Sequence, residues 1–476
     1  MLTRYSRISF IATCAWLAGC ASLGPKFSAP ANVVEANAQY RHGGTSTSTN
    51  ASLPKNWWEI FGDAQLNQLE QRALQAHPTI KIAAERLLQA KAQLGISDAA
   101  QQPYVSVGAG ISNGHTSQNT AQGQLFGGRT VSGNNFSVGG ALSYEVELWG
   151  KMQHIHEAAQ AQVQAAEYDK DGVLLLLSSQ IANTYWQLRG IQAELSILNE
   201  TLANRKEAQQ LIERRFGGGL SNELDVSRAR LETANATADM AEVERQRNLL
   251  QHALAVLVAA PPATLLPVAA GPLSEPPAIP VGLPATLLAQ RPDLAQSVAL
   301  IRAANAQQGV AESAFYPSLQ LTGNFGLASE SLRDLAQGGS RQFSIGPLAL
   351  SLPIFDGGRN KANLALTQAR YQEALAQHQV KLLNALREVE DALSDGEQRK
   401  KQEGAQALAQ QAANRAQAVA QQRFVKGLSN YLDVTDTQRS ALAANRAANQ
   451  IRTQRWLAAT ALARALGGGW TAGTVQ

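Results

Sequence analysis

The sequence predicts a mainly α-helical protein with a transmembrane β part, built from two internal repeats that each join a strand hairpin to long antiparallel coiled-coil helices. Three observations predict this class. The chain resembles itself after about 210 residues, a period that fits domain-sized halves rather than a solenoid. Each half contains segments in which apolar residues alternate with small or polar ones. Each half then continues into proline-free stretches rich in alanine and glutamine, which are typical of long helices.

The clearest internal match lies between residues 219–226 (GLSNELDV) and 427–434 (GLSNYLDV), which differ at one position. The repeats divide the chain into consecutive parts. We predict a signal peptide at 1–19, a lipid-anchored extended leader at 20–61, a linker at 261–283 and a tail at 468–476. Repeat 1 spans 62–260, with a strand hairpin at 103–148 and long helices at 150–260. Repeat 2 spans 284–467, with a strand hairpin at 317–355 and long helices at 357–467.

Composition excludes several classes of protein. Charged residues make up 16% of the chain, below the ~25% of a typical soluble domain. No segment after the signal peptide has the ~18 consecutive apolar residues of a membrane-spanning helix, which excludes a polytopic helical membrane protein. A net charge of +4 without a Lys/Arg cluster argues against a nucleic-acid partner. Two cysteines cannot form a disulfide framework, and nothing in the sequence indicates a cofactor.

The N-terminus has the layout of a secretory signal. Two arginines precede a short apolar run at 8–16, and Leu-Ala-Gly-Cys follows at 17–20. This tetrapeptide resembles a bacterial lipobox, so Cys20 is predicted to be lipidated. The alternative is an ordinary signal peptide with a chance cysteine. Ala21 is not the aspartate that usually retains lipoproteins at the inner membrane, and we therefore expect an outer-membrane anchor.

Each half begins with a predicted helix, at about 64–100 and 284–314, that ends shortly before a proline. Two strands of about ten to twelve residues follow, the length of a tilted transmembrane strand. A soluble sandwich is the alternative for these strands. In the fourth strand the apolar parity changes between Ile345 and Leu348, which predicts a β-bulge near Pro347. Glycine-rich loops at 113–135 and 328–342 fit extracellular hairpin tips.

The helical part of each half is predicted to be a long hairpin. Residues 150–216 contain no proline, and at ~1.5 Å per residue they form a helix of about 100 Å. A glycine turn at 217–219 reverses the chain into a second helix at about 222–259, and Gly427 marks the matching reversal. A solid four-helix bundle is the alternative, although it needs wider apolar stripes than these helices carry.

The strand count predicts an oligomer. One chain supplies only four membrane strands, and the smallest membrane barrels have eight. An open strand edge cannot remain unpaired in lipid. At least two chains must therefore share their strands in a closed, rotationally symmetric barrel.

Five motifs in the same order over both halves make the sequence similar to the outer-membrane efflux protein family, the TolC-like outer-membrane factors, and most of all to their NodT/OprM-like lipoprotein branch. The motifs are WWEIFGD at 57–63, RPDL at 291–294, AFYPS at 314–318, LPIFDGGR at 352–359 and LGGGW at 466–470.

This resemblance implies a homotrimer with a 12-stranded β-barrel continuous with a 12-helix periplasmic α-barrel. It implies a passive duct in a tripartite system that carries small molecules such as drugs. The implied partners are outer-membrane lipid, a periplasmic adaptor and an inner-membrane pump of the resistance-nodulation-division type. The alternative function is the outer-membrane duct of a type I protein secretion system with an ATP-binding-cassette transporter.

The resemblance also implies a gate at the periplasmic tip. Acidic residues after the second reversal line the closed entrance in this family, and Asp433 and Asp436 occupy matching positions. Helix-start chemistry is the alternative, because acids in the first turn suit the helix dipole. The first half keeps Asp225 but has Arg228 where the second has Asp436, so an Asp–Arg link between neighbouring helices is a further hypothesis. Phe424 stands where the family often has tyrosine, and it joins the candidate gate.

The helix reversals, farthest from the barrel, are the candidate adaptor-docking tip. Its residues are Gly217, Gly219, Leu220, Ser221, Asn222, Gly427, Leu428, Ser429 and Asn430.

Nothing in the sequence indicates an enzyme or a metal site. No His-Glu-x-x-His pattern, phosphate loop or glycine-flanked nucleophilic serine occurs. His154 and His156 are the only close histidine pair, and we interpret them as a solvated helix face. Glu145 and Glu147 are interpreted as solvated barrel lining, and Trp149 as an interface aromatic. A pore-less periplasmic coiled-coil scaffold is the remaining alternative, but it leaves the amphipathic strands unexplained.

Overall fold

The computed structural model describes residues 23–30, 39–42, 53–125, 127, 130, 132–269, 271–282 and 290–471. The predicted signal peptide and Cys20 lie outside these residues. Within the described ranges, no helix combines the length and apolar character that crossing a membrane requires.

The described elements are mostly helical, with a small number of antiparallel strands. In chain order they are a 3₁₀ turn (Trp57–Phe61), α1 (Ala64–Ala76), α2 (Pro78–Ala99), β1 (Tyr104–His115), α3 (Ala121–Leu125), β2 (Ser132–Val146), α4 (Lys151–Gly217), α5 (Glu223–Leu257), α6 (Pro292–Ser313), β3 (Ser318–Ser329), a 3₁₀ turn (Gly338–Ser340), β4 (Arg341–Ser351), α7 (Arg359–Val425) and α8 (Tyr431–Ala465).

Most corresponding elements of the two halves have equal lengths, although β2 has 15 residues and β4 has 11. Helices α2 and α6 each have 22 residues, and strands β1 and β3 each have 12. Helices α4 and α7 each have 67 residues, and α5 and α8 each have 35. The repeat read from the sequence is therefore also a repeat of local structure.

The single first helix predicted in repeat 1 is wrong, because the structure divides it into α1 and α2 at His77. Pro78 has no N–H to donate and occupies the first position of α2, where none is needed. The imidazole Nδ1 of His77 accepts from the Thr79 N–H at 3.2 Å, so it supports the start of α2. Proline therefore ends one helix and begins the next.

Chain contacts separate two compact units, and each takes segments from both halves. Unit 1 comprises residues 1–30, 87–165 and 297–377, and unit 2 comprises 31–86, 166–296 and 378–476. Unit 1 holds the sheet. Unit 2 holds the helix reversals and the largest hydrophobic core.

The sheet of unit 1 has the strand order β1-β2-β3-β4, with antiparallel pairing throughout. The predicted bulge is confirmed, since Gly346 and Pro347 together oppose the single residue Thr322. This extra residue shifts the parity of β4, so that Ile345 and Leu348 stay on one face.

The register gathers the large apolar residues of all four strands on one face. Opposing Cα partners share a face, as Val105 with Leu142 and Leu321 with Leu348. The Phe325 ring covers Gly140 so closely that it leaves no room for a Cβ there. The other face carries mainly Ser, Gly, Ala, Asn and Gln residues. The apolar face comprises Val105, Val107, Ala109, Ile111, Phe136, Val138, Leu142, Tyr144, Val146, Leu319, Leu321, Phe325, Leu327, Phe343, Ile345, Leu348 and Leu350.

The core of unit 2 is built around aromatic rings. Trp186 on α4 stacks on Trp456 of α8 with a centroid distance of 3.9 Å. Phe61 meets both indoles edge-on, at 5.7 and 5.5 Å. Trp57 donates its indole N–H to Ser178 Oγ at 3.1 Å. The conspicuous WWEIF motif therefore fastens the leader to the long helices.

Candidate functional site

Both helix reversals of unit 2 use the same backbone geometry. In the first, the Leu220 N–H donates to the Arg215 carbonyl at 2.8 Å, and in the second Leu428 donates to Arg423 at the same distance. The glycines before these leucines have φ of 73° and 72°, a left-handed conformation that favours glycine. These are Schellman-type helix ends, which explains why the two octapeptides are so similar.

The outgoing helix of each reversal begins with an asparagine cap. Asn222 Oδ1 accepts from the Asp225 N–H at 2.9 Å, and Asn430 Oδ1 accepts from the Asp433 N–H at 2.9 Å. Asp225 and Asp433 thus stand in the first turns of α5 and α8. Asp436 lies one turn further along α8. The asparagine caps support the helix-start alternative for Asp225 and Asp433. The gate hypothesis remains a prediction.

Phe424 lies in a small buried core that joins all four long helices near the reversals. Its ring is 8% exposed and packs 5.7 Å from the Tyr431 ring. The Arg215 guanidinium carbon lies 4.7 Å from the Phe424 centroid, a cation–π contact between α4 and α7. Phe216, the counterpart in repeat 1, is exposed. The remaining members of this tip core are Ala208, Ile212, Val226, Ala229 and Val434.

Several apolar side chains at the reversals are left uncovered by the described part of the chain. Leu220 is 80% exposed and Leu428 64% exposed. Phe216, Leu224 and Val425 are also exposed. Grouped exposed apolar side chains are a feature of protein interaction surfaces. The two leucines belong to the docking tip inferred from the sequence.

Asp225 and Arg228 pair with one another on α5, and the hypothesis of an Asp–Arg link between neighbouring helices stays a prediction. Arg228 Nη1 lies 3.5 Å from Asp225 Oδ1, but the two residues are three apart on the same helix. Such a pair supports α5 locally and does not tie it to another helix.

A different carboxylate, that of Glu232, links the first pair of long helices to α8. Glu232 on α5 is buried, with 4% of its side chain exposed. Arg205 of α4 contacts its carboxylate at 3.0 Å and donates to its backbone carbonyl at 2.9 Å. Arg439 of α8 donates from Nε to Glu232 Oε1 at 2.8 Å, and this contact raises the pKa of the Arg439 guanidinium. The link therefore joins α4, α5 and α8.

A second ionic layer lies seven residues further along α8. Arg446 contacts Glu194 of α4 at 2.7 Å and Asp239 of α5 at 3.6 Å. Both the arginines on α8 and the acids on α5 are spaced by seven, the coiled-coil period. That heptad spacing is the sequence signal that could have revealed this ladder.

Side chains of α4, α7 and α8 line a groove of about 900 Å³ in unit 2. Amide and hydroxyl groups form part of its surface beside charged and apolar side chains, so it offers both hydrogen-bonding groups and apolar contacts. Examples of the amide and hydroxyl residues are Ser196, Asn204, Gln410, Asn414, Gln421 and Asn445.

In unit 1, polar contacts fix the junction between β2 and α4. Glu145 pairs with Lys151 at 2.8 Å, and Glu147 accepts from the Met152 N–H at 2.6 Å. Trp149 donates its indole N–H to the Pro317 carbonyl at 2.7 Å. The two glutamates thus act at the start of α4, which sequence reasoning did not anticipate.

The interpretation of the histidine pair as a solvated face is wrong for His154. This imidazole is buried and contacts the Leu23 carbonyl at 2.6 Å and Glu157 at 3.1 Å. His156 is more exposed and contacts Asp98 at 2.6 Å. His154 holds the leader against α4. Across the described ranges, no group of three or more His, Cys, Asp or Glu side chains could hold a metal ion.

A sheet with one apolar face and long paired helices are together features of outer-membrane channel proteins. The model of the outer membrane efflux protein family matches residues 69–260 and 283–468, and the chain belongs to this family. The two matched stretches fall in the two halves.

Individual relatives agree with this assignment. The outer membrane protein OprJ of Pseudomonas aeruginosa is 32% identical over 465 residues, covering 96% of this chain and 94% of OprJ. The cation efflux system protein CusC of Escherichia coli K12 is 30% identical over 461 residues, covering 95% and 97%. The crystal structure of the Campylobacter jejuni CmeC outer membrane channel matches with a TM-score of 0.84 and 28% identity, covering 95% and 96%.

Proposed function

We propose that this chain is one of three identical subunits of a passive duct in a tripartite efflux system. Three sheets of four strands would give a twelve-stranded barrel (3 × 4), and the four long helices of each chain would give a twelve-helix periplasmic barrel. The repeats at 62–260 and 284–467 each contribute one hairpin and two long helices. Membership of the efflux family and the open sheet support this proposal.

The observation that carries the proposal is the pairing state of the sheet. Among the residues that the structure describes, strands β1 and β4 each pair on one side only, and the sheet presents a face of large apolar side chains. Ile111 and Phe343, one on each edge strand, are largely exposed. Unpaired backbone groups are costly in lipid, so the two edges need partners. Edge-to-edge pairing of identical sheets would satisfy both edges and turn the apolar face outward.

The cargo we propose is small molecules. The relative CusC is a cation efflux system protein, which supports this class of cargo over secreted proteins. Energy would come from an inner-membrane pump of the resistance-nodulation-division type, since the channel itself is passive. A periplasmic adaptor would dock at the reversals, where exposed Leu220 and Leu428 give apolar contact surface.

A lipid anchor at Cys20 fits the position of the leader. The Leu23 N–H donates to the Trp149 carbonyl at 3.2 Å, just beyond the end of β2. Leu23 comes three residues after Cys20 in the sequence, so a lipid on Cys20 would tether the chain on the N-terminal side of this contact.

The acids at the second reversal are our candidate gate. Three copies of Asp433 and Asp436 around one axis would favour cations and resist tight closure through like-charge repulsion. Replacing both residues with alanine should change single-channel conductance and reduce cation preference in planar bilayers. Glu223→Ala, an acid of the first reversal outside the candidate gate, is the matched control. Unaltered conductance and selectivity in the double variant would refute the gate.

Deletion of the gene tests the function as a whole. We expect dyes and drugs to accumulate in the deletion strain, because the pump then lacks its exit. The measurement is intracellular fluorescence of a dye panel beside drug susceptibility. A Cys20→Ala strain separates the lipid anchor from the duct. Unchanged accumulation across a broad panel in the deletion strain would count against efflux.

A further inference from the structure

A carboxylic acid lies inside the core of unit 2, and no polar group in the described ranges partners it. Glu70 on α1 is fully buried, at 0% exposure. Leu66 and Ala73, one turn before and one turn after it, are also fully buried and belong to the aromatic core. Residues at these spacings share one face of a helix, so the Glu70 side chain lies on the face that packs into the core.

Neither oxygen of this carboxyl group has a hydrogen-bond partner among the residues that the structure describes. Both Oε1 and Oε2 of Glu70 are buried. An isolated carboxylate in an apolar interior is so costly that the group takes up a proton instead. Burial raises the pKa of the Glu70 carboxyl well above its ordinary value.

The charged groups on neighbouring elements do not offset this burial. Asp63 and Arg189 are paired with one another at 2.9 Å. Arg291 pairs with Asp293 and Glu388, each at 2.9 Å. Burial is the only cause that acts on the Glu70 pKa, so no cation on the packed elements stabilises an ionised form.

We propose that Glu70 is a pH-responsive residue, a neutral acid in the folded protein whose ionisation in alkaline medium loosens the packing of α1 against the core of unit 2. This core contains Trp186 and Trp456, which lie on two of the four long helices. Ionisation would therefore weaken the packing of the core that contains side chains of α4 and α8. The proposal does not depend on the transported cargo.

The direction of the pH effect follows from proton linkage. The folded state holds the Glu70 proton at pH values where the unfolded chain has already lost it. Stability therefore falls as the pH rises from the ordinary glutamate pKa toward the raised one, and the loss is complete above the latter. A variant whose side chain at position 70 cannot ionise should lack this dependence of stability on pH.

Glu70→Gln in the detergent-solubilised full-length protein tests the proposal, with Glu85→Gln, an exposed acid on α2, as matched control. Melting temperatures are measured by circular dichroism from about pH 5 to about pH 9. Relative to Glu70→Gln, the wild type should lose roughly 2–4 °C or more across this range. Glu85→Gln should follow the wild type.

Infrared difference spectroscopy gives a direct second reading. The wild type should show the carbonyl band of a protonated carboxylic acid at neutral pH, and Glu70→Gln should lack it. If the glutamine variant fails to fold, Glu70→Leu serves in both measurements. Equal pH slopes in the wild type and the Glu70 variant, or a band that survives the substitution, would overturn the proposal.

Discussion

Trp186→Ala should lower the free energy of unfolding by about 3–5 kcal/mol, the range for removing a large aromatic side chain from a core. Trp186 is 1% exposed and stacks on Trp456 at 3.9 Å. It also meets Tyr185 edge-on at 5.0 Å and Phe61 at 5.7 Å. The substitution would leave a cavity where the leader, α4 and α8 converge, and surrounding helices can refill it only in part.

Thermal unfolding of the solubilised protein, followed by circular dichroism, measures this effect. The control is Phe216→Ala, an aromatic truncation at the tip, where the ring is 46% exposed. We expect this control to change stability by less than about 1 kcal/mol. Equal losses in the two variants would show that the aromatic core does not hold unit 2 together.

Ile345→Arg should prevent insertion of the barrel. Ile345 is 82% exposed on the apolar face of β4, which we assign to lipid. An arginine on the lipid face costs about 2–4 kcal/mol near the bilayer midplane. A threefold assembly would carry that cost three times, so the trimer should disappear from the outer-membrane fraction. Heat-modifiable migration of membrane extracts in gel electrophoresis reports the trimer.

Ser344→Arg is the matched control for this experiment. It introduces the same charge one residue away, on the opposite face of the same strand. A side chain that points into a water-filled barrel can stay hydrated, so this variant should assemble. Equal assembly of Ile345→Arg and Ser344→Arg would contradict the assignment of the two faces, and so would a loss confined to Ser344→Arg.

Elements that depend on local signals could be predicted from the sequence. The strands follow from the alternation of apolar and polar residues, and the bulge follows from one change of parity beside Pro347. The reversals follow from glycines, which the structure shows in the left-handed conformation. The break at His77 was missed because the apolar pattern of the two helices runs on without interruption, although Pro78 marked the place.

Contacts between distant helices could not be predicted in the same way. The burial of Phe424 and Glu70 depends on how helices that are distant in sequence pack against one another. The link from Glu232 to Arg439 depends on the same packing. Residues 232 and 439 are 207 positions apart, and one residue of slip along either helix would separate them. Local propensity carries no information about that alignment.

The ionic ladder distinguishes the two halves of an otherwise duplicated chain. With an offset of 208 residues (427 − 219), the counterpart of Glu232 is Ser440, and the counterpart of Arg439 is Leu231. The two halves are thus not interchangeable at this link. A chimaera with two copies of the first half would set Leu231 where Arg439 stands, and Glu232 would keep only Arg205.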